Sequence, residues 1–288
     1  GALPEIRRRL PHARLIVILQ GDDIFLDHLP PEARQQCIGL CRGLIHAVDR
    51  LVVNSRFYAD KMGAVFDVPP DKFAVVPLSI DTGPFTTASV RPAAAATNSA
   101  GDEFRLGYLA RIAPEKGFHQ LVQAFVTLAS QPEHQDLTLH AAGWLGESHR
   151  GYLDSQLQLI ESAGLTDRFT YHGSPDLERK VEFLGRLDLL SVPTVYEEPK
   201  GLFVLEALAA GVPVVQPNHG AFGELLASTG GGKIVAPGDT SALAQAIGQL
   251  KDNPDKRRAL AEQGRETVLA NHSIEMAAER MRALMFDA

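Results

Sequence analysis

The chain has 288 residues, a length that suggests about two domains, and its 45% hydrophobic content is enough for ordinary cores. Its net charge of −7 is unevenly spread: residues 1–81 hold 10 basic and 10 acidic side chains, so nearly all the excess acid lies later, which argues against a general nucleic-acid binder. No stretch approaches the roughly 18 uncharged apolar residues of a membrane span, and the two cysteines, Cys37 and Cys41, make neither a disulfide framework nor a zinc site, so a cytoplasmic protein is expected.

Residues 1–81 read as alternating strand and helix. LIVIL (15–19), RLVVN (50–54) and FAVVP (73–77) are short buried strands, with helices over 31–48 and 57–63 between them. Three strands make an incomplete doubly wound domain. Asp22 and Asp23 could suggest metal ligands, but two adjacent carboxylates at a strand end more often form a solvated loop or a helix N-cap. Arg7, Arg8, Arg9 and Arg14 form a basic cluster that either touches anionic lipid headgroups or marks an exposed helix face.

Residues 82–103 show no hydrophobic periodicity and read as the interdomain linker. Beyond them strand and helix alternate regularly over 104–270. FRLGYLA, DLTLHAAG, RFTYHG, LDLLSVPT, VPVVQP and GKIVA are about six parallel strands, and Phe118, Leu121, Val122, Phe125 and Val126 mark the apolar face of the first intervening helix. This is a complete doubly wound domain, with ligands expected outside the carboxyl ends of its strands. A last helix over 271–288 carries Ile274, Ala277, Met281, Leu284 and Met285 on one face.

Two motifs leave those strand ends. In EEPKGLFVLEALAAGVPVVQP (197–217), Pro199 suits the first turn of a helix that Gly211 stops, placing Glu198 in the loop before the helix and Glu206 inside it. On one continuous helix they would be roughly 12 Å apart, too far for the paired carboxylates of a glycoside hydrolase. Glu206 sits among apolar neighbours, so its carboxylate must find donors or a ligand. In LGYLARIAPEKGF (106–118), Arg111 and Lys116 can converge on a diphosphate across a strand-to-helix turn, with Gly117 leaving room for backbone approach. The alternative is that Arg111 and Lys116 are a surface pair with Glu115 between them.

The Glu198-x7-Glu206 spacing with AlaLeuAlaAlaGly and ValProValVal after it, together with the Arg111–Lys116–Gly117 loop before it, resembles the retaining nucleotide-sugar glycosyltransferases of family 4 (glycosyl transferase group 1). The resemblance implies an α/β chain of two Rossmann-like domains, the GT-B fold. It gives Arg111 and Lys116 the leaving diphosphate, Glu206 the ribose hydroxyls and Glu198 a sugar hydroxyl, so that Glu198, Arg111 and Lys116 carry catalysis. Gly117, His172, Gly173, Gly201, Leu202 and Gly220 complete the implied donor site, with the base beside His172 and Gly173. The implied co-substrate is a UDP-, GDP- or ADP-sugar, with no cofactor and no metal, and the acceptor is a carbohydrate, lipid or small molecule. Membrane contact is at most peripheral.

In the resembling family the first domain brings several earlier strands, so the chain is expected to begin inside that domain, and the 271–288 helix is expected either to cross back onto it or to pack on its own domain. Gln20 stands where a histidine near the donor sugar is usual, PLSID replaces the common Pro-Asn-Gly-Val-Asp, and Lys200 takes the place of an aromatic or small residue. Asn218 is a candidate N-cap, His219 a candidate site residue, and Gly230–Gly232 reads as a plain turn. A sugar-nucleotide epimerase or phosphorylase on the same architecture, and a noncatalytic nucleotide-sugar binding module, are the alternative readings.

Overall fold

A computed structural model describes residues 2–87 and 103–286. The chain divides into two compact units: the residues up to Ser79 with the helix that starts at Ile274, and Ile80–Ser273. No helix among the described residues is long and apolar enough to cross a membrane.

In the first unit β1 (Ile16–Ile18), β2 (Arg50–Val53) and β3 (Phe73–Val75) form a parallel sheet in the order β1-β2-β3, with Val17 opposite Leu51 and Val52 opposite Ala74. Helices α1 (Leu3–Arg9), α2 (Asp22–Asp27), α3 (Pro31–Ile45) and α4 (Arg56–Phe66) accompany it. Its core gathers Leu26, Ile38, Leu51, Val53, Tyr58 and Met62. Ser55 caps α4 by accepting from the Tyr58 amide. The helix face expected for the arginine cluster is α1, which holds Arg7, Arg8 and Arg9, while the sequence reading set no bounds for α1 or α2 and extends α3 three residues beyond its end at Ile45.

Several charged residues of this unit are engaged within it. Asp23 is buried, with Tyr58 Oη 2.9 Å and Lys61 Nζ 2.9 Å from its carboxylate. Asp22 accepts from the Gln20 amide, and the N-cap of α2 is Gly21 rather than either aspartate. Arg7 bonds the Ala47 carbonyl and Asp49, while Arg8 and Arg9 pair with Glu5 on their own helix.

The second unit holds β4 (Phe104–Leu109), β5 (Leu137–Ala142), β6 (Phe169–Tyr171), β7 (Leu189–Leu190), β8 (Val214–Pro217) and β9 (Gly232–Val235). All pair in parallel, in the order β6-β5-β4-β7-β8-β9. In strand-number order this is 3-2-1-4-5-6, the doubly wound arrangement, and the direction of winding reverses between β4 and β7. β4 is nearly buried throughout, with Arg105 alone partly exposed, which is why it reads as a continuous apolar run. The connecting helices are α5 (Gly83–Thr87), α6 (Phe118–Ala129), α7 (Arg150–Ser162), α8 (Leu177–Gly185), α9 (Leu202–Ala209), α10 (Phe222–Thr229), α11 (Thr240–Lys251) and α12 (Pro254–Asn271), and α13 (Ile274–Phe286) follows.

Helix α5 corrects the linker reading at its start, because Phe85 is buried and the Phe85 carbonyl accepts from Arg265 at 3.0 Å. The rest of the expected linker, 88–102, lies outside the described residues. A second correction concerns Pro199. Helix α9 begins at Leu202, behind Gly201 at φ 78, so Pro199 lies in the preceding loop and not in the first helical turn. Asn218 is likewise not a cap: α10 starts at Phe222 with Ala221 at its N-cap.

Candidate donor site at the switch between β4 and β7

The loops that leave β4 and β7 flank the crevice where the winding reverses, the position at which open parallel sheets take ligands. After β4 the chain runs through Arg111 into a single 3-10 turn, Pro114–Lys116, and then into α6 by way of Gly117. Gly117 has φ +72, and a Cβ there would lie 1.7 Å from the Pro193 carbonyl oxygen in the β7 loop. Only glycine lets the two loops approach this closely. The buried Tyr108 hydroxyl lies 3.0 Å from the Arg111 carbonyl and 3.3 Å from that of Lys116, gathering the turn from beneath. Val195 donates to the Glu115 carbonyl and Ile112 to that of Trp144, so the loops after β4, β5 and β7 are sewn together by backbone bonds.

This arrangement brings Lys116 to Glu198. Lys116 Nζ lies 2.7 Å from Glu198 Oε2, and the two side chains are 13% and 8% exposed. Tyr196, which the sequence pattern does not single out, completes the cluster: its hydroxyl is 2.5 Å from Lys116 Nζ and 2.5 Å from Glu198 Oε2. Burial, and then the Glu198 charge, push the Tyr196 phenol well above the usual tyrosine range, so its proton stays in place as a donor to the carboxylate.

The main chain of Glu198 is fixed by the loop after β8. Ala221 donates to the Glu198 carbonyl at 2.8 Å, and Gly220, at φ +59, packs so closely that a Cβ would sit 2.5 Å from the Glu198 nitrogen. Gly220 therefore acts on the site through Glu198. His219 beside it is 2.9 Å from the Thr194 carbonyl through Nε2, while its buried Nδ1 has no hydrogen-bond partner among the described residues.

Arg111 is not directed at Lys116. It is half exposed and donates to Glu115 Oε1 at 3.0 Å, while Lys116 is nearly buried, so the two cations do not form a surface pair either. Each of the two cations is thus held by a carboxylate in this structure. Glu206, inside α9, pairs with Lys180 of α8 at 2.5 Å, a partner the sequence pattern does not reveal. Gly201, which is buried, and Leu202, which is 43% exposed, form the start of α9, whose first amides have no side-chain cap.

His172 and Gly173 follow β6. The His172 amide donates to Ala141 and the Gly173 carbonyl accepts from Gly143, which locks the loop to the end of β5. The His172 ring stacks near His140, with Nε2 3.1 Å from His140 Nδ1, and His140 Nε2 is 3.2 Å from Glu103. Burial lowers both imidazoles below the usual histidine range. Among the described residues no group of three or more His, Cys, Asp or Glu side chains is placed to hold a metal ion.

The profile of the glycosyl transferases group 1 family matches residues 91–267. The chain is 27% identical to the lipopolysaccharide core biosynthesis mannosyltransferase LpcC of Rhizobium leguminosarum bv. viciae, over 88% of this chain and 68% of that protein. It is 28% identical to the D-inositol 3-phosphate glycosyltransferase of Corynebacterium urealyticum, over 82% of this chain and 55% of the relative, so it spans little more than half the length of such proteins. In fold it is similar to Anabaena Alr3699/HepE, solved in complex with UDP, with a TM-score of 0.79, 18% identity, and coverage of 96% of this chain and 72% of the other. The doubly wound second unit, the parallel first sheet and these likenesses make the architecture GT-B, and the chain belongs to the glycosyl transferases group 1 family.

Proposed function

We propose that the chain is a retaining glycosyltransferase of the family 4 type, moving a sugar from a nucleoside diphosphate to an acceptor hydroxyl. The observation that carries this reading is the Lys116–Tyr196–Glu198 cluster at the switch between β4 and β7. It presents an ammonium and a carboxylate side by side, matched to the two chemically different parts of such a donor. Lys116, Arg111 and the start of α9 offset the charge that builds on the departing diphosphate. Glu198 receives a sugar hydroxyl, Glu206 the ribose hydroxyls, and the His172–Gly173 loop the base. The positive groups are supplied by the chain itself, so turnover needs no divalent metal in this reading. The Anabaena protein solved with UDP and with UDP-glucose supports a nucleotide-sugar donor here, and a cytoplasmic location is in keeping with the free thiols of Cys37 and Cys41.

The test is incubation of the chain with UDP-, GDP- and ADP-sugars and a panel of carbohydrate and lipid acceptors. Release of nucleoside diphosphate that depends on an acceptor, with a product of the donor's own anomeric configuration by NMR, is the expected result. A product of inverted configuration overturns the retaining mechanism. Failure of all three nucleotides to bind in calorimetry overturns the donor site.

A further inference from the structure

Lys116 and Glu198 form an ion pair that the proposed reaction has to take apart. A diphosphate needs the ammonium, and a sugar hydroxyl needs the carboxylate. In this structure each satisfies the other across 2.7 Å, in surroundings that leave the side chains only 13% and 8% exposed. Drawing Lys116 towards phosphate would strand a nearly buried carboxylate, and a stranded charge is what makes breaking a buried pair costly. Lys116 would then be held back by the residue it works beside.

Tyr196 supplies the missing piece. Its oxygen accepts from Lys116 Nζ and its proton goes to Glu198 Oε2, both at 2.5 Å. When the lysine leaves, the O–H···O bond to the carboxylate can remain. The residue is placed for this by bonds that involve neither charged partner: Thr194 Oγ1 donates to the Tyr196 carbonyl at 3.0 Å, and the Val195 amide donates to Glu115 at 2.9 Å. The amide of Lys200 lies 3.4 Å from the other oxygen, Glu198 Oε1, a long contact that alone would hold the carboxylate poorly.

We propose that Tyr196 is a positioning residue that makes the Lys116–Glu198 pair separable: its hydroxyl stays on the carboxylate, keeping it satisfied and aimed, while the diphosphate of the donor takes the ammonium. This inference rests on the donor-site reading above. It gives Tyr196 a part in binding and not in bond making, since no proton leaves the phenol.

The experiment is calorimetric titration of the whole chain with UDP, and in parallel with GDP and ADP, for the unsubstituted protein, Tyr196→Phe, Glu198→Gln and the double variant. Loss of a hydrogen bond to a charged group predicts that Tyr196→Phe raises the dissociation constant about 10- to 100-fold. Glu198→Gln leaves no charge to strand, so it keeps or improves the affinity. Adding Tyr196→Phe to Glu198→Gln then changes the affinity by less than about twofold, the signature of two residues coupled through one interaction. The same loss in both backgrounds means a merely structural tyrosine and overturns the proposal, as does no loss in Tyr196→Phe. If Tyr196→Phe does not fold, Glu198→Gln against the unsubstituted protein still decides, because weaker binding in Glu198→Gln contradicts the proposed restraint. If the unsubstituted protein binds none of the three nucleotides, the donor-site reading fails first and the inference with it.

Discussion

Lys180 of α8 reaches Glu206 of α9, its Nζ 2.5 Å from Oε1, and so joins the helix after β6 to the helix after β7. The pair lies one loop away from the Lys116–Glu198 pair but shares no residue with it, so the two glutamates have separate partners. Their substitutions should separate too. Glu206→Ala should weaken nucleoside diphosphate and nucleotide-sugar by the same factor, roughly tenfold or more for a lost hydrogen bond to a charged group. Glu198→Ala should spare the nucleoside diphosphate and weaken only the sugar-bearing donor. Calorimetry with both ligands on both variants checks the division, and equal losses throughout would refute it.

Three glycines with positive φ allow a graded test of how the site is held. At Gly117 and Gly220 an added Cβ meets backbone atoms at 1.7 Å and 2.4 Å, whereas at Gly173, φ +69, it meets nothing within 4 Å. Gly173→Ala should therefore cost about 1–2 kcal/mol, the left-handed backbone penalty alone. Gly117→Ala and Gly220→Ala add overpacking of about 1–3 kcal/mol to that penalty, and the Lys116 and Glu198 backbones have to shift to relieve it. Urea denaturation should rank Gly173→Ala as the mildest of the three. Nucleotide binding should fall in Gly117→Ala more than its loss of stability would explain.

The central strands of the second unit, β4, β7 and β8, were legible because they are buried over nearly all their length, and the two motif loops because glycine, proline and paired charges mark where a strand ends. What was not legible depends on distance along the chain. Tyr196 gains meaning only when the β4 loop brings Lys116 to it, a separation of 80 residues, and Lys180 only when α8 lies beside α9. The start of α9 was misplaced for a local reason: Pro199 resembles a first-turn residue, but Gly201 in the left-handed region is the N-cap and the helix begins at Leu202, three residues after the proline. α12 is predominantly polar, with charged residues around much of its circumference, so its pattern did not stand out from a solvated segment. The Arg111–Glu115 contact was not legible, because the chain between them is a loop through the extended Ala113 and not a helix that would set side chains four apart on one face.

Stability should fall on mild acidification, and the His140–His172 pair should account for part of it. Burial is the main cause that lowers both imidazoles, with His140 and then Arg186 adding to it for His172. Glu103 opposes the shift at His140, and Arg105 reinforces it. With the folded values below those of the unfolded chain, the unfolded state takes up protons first. The stability these rings contribute is complete above the unfolded value near 6.5 and is lost as the pH falls through it towards the lower folded values. The urea midpoint should thus drop between about pH 7.5 and 5, and His140→Gln, which removes one titrating ring, should flatten the drop. An unchanged slope in His140→Gln would assign the acid sensitivity to other groups.

Turnover should persist in excess chelator. A departing nucleoside diphosphate gathers about two to three negative charges, which many enzymes offset with Mg²⁺ or Mn²⁺ held by carboxylates. Here Lys116 stands in the crevice, Arg111 lies on the same loop, and the uncapped start of α9 adds roughly half a positive charge. Arg111 must first exchange Glu115 for phosphate, an inexpensive step for a pair that is 51% and 41% exposed. Replacing Lys116 or Arg111 by Ala should lower turnover roughly 10²- to 10³-fold, by analogy with removal of one transition-state donor. Lys116→Ala should be the more severe, because Lys116 also balances the buried Glu198. Asp23, held by Tyr58 and Lys61, is already satisfied within its own unit, and Asp22→Asn should leave the rate unchanged. The check is the rate of acceptor-dependent nucleotide release with and without chelator, and abolition by chelator with rescue by Mg²⁺ or Mn²⁺ would replace this fixed-charge mechanism with a metal-assisted one.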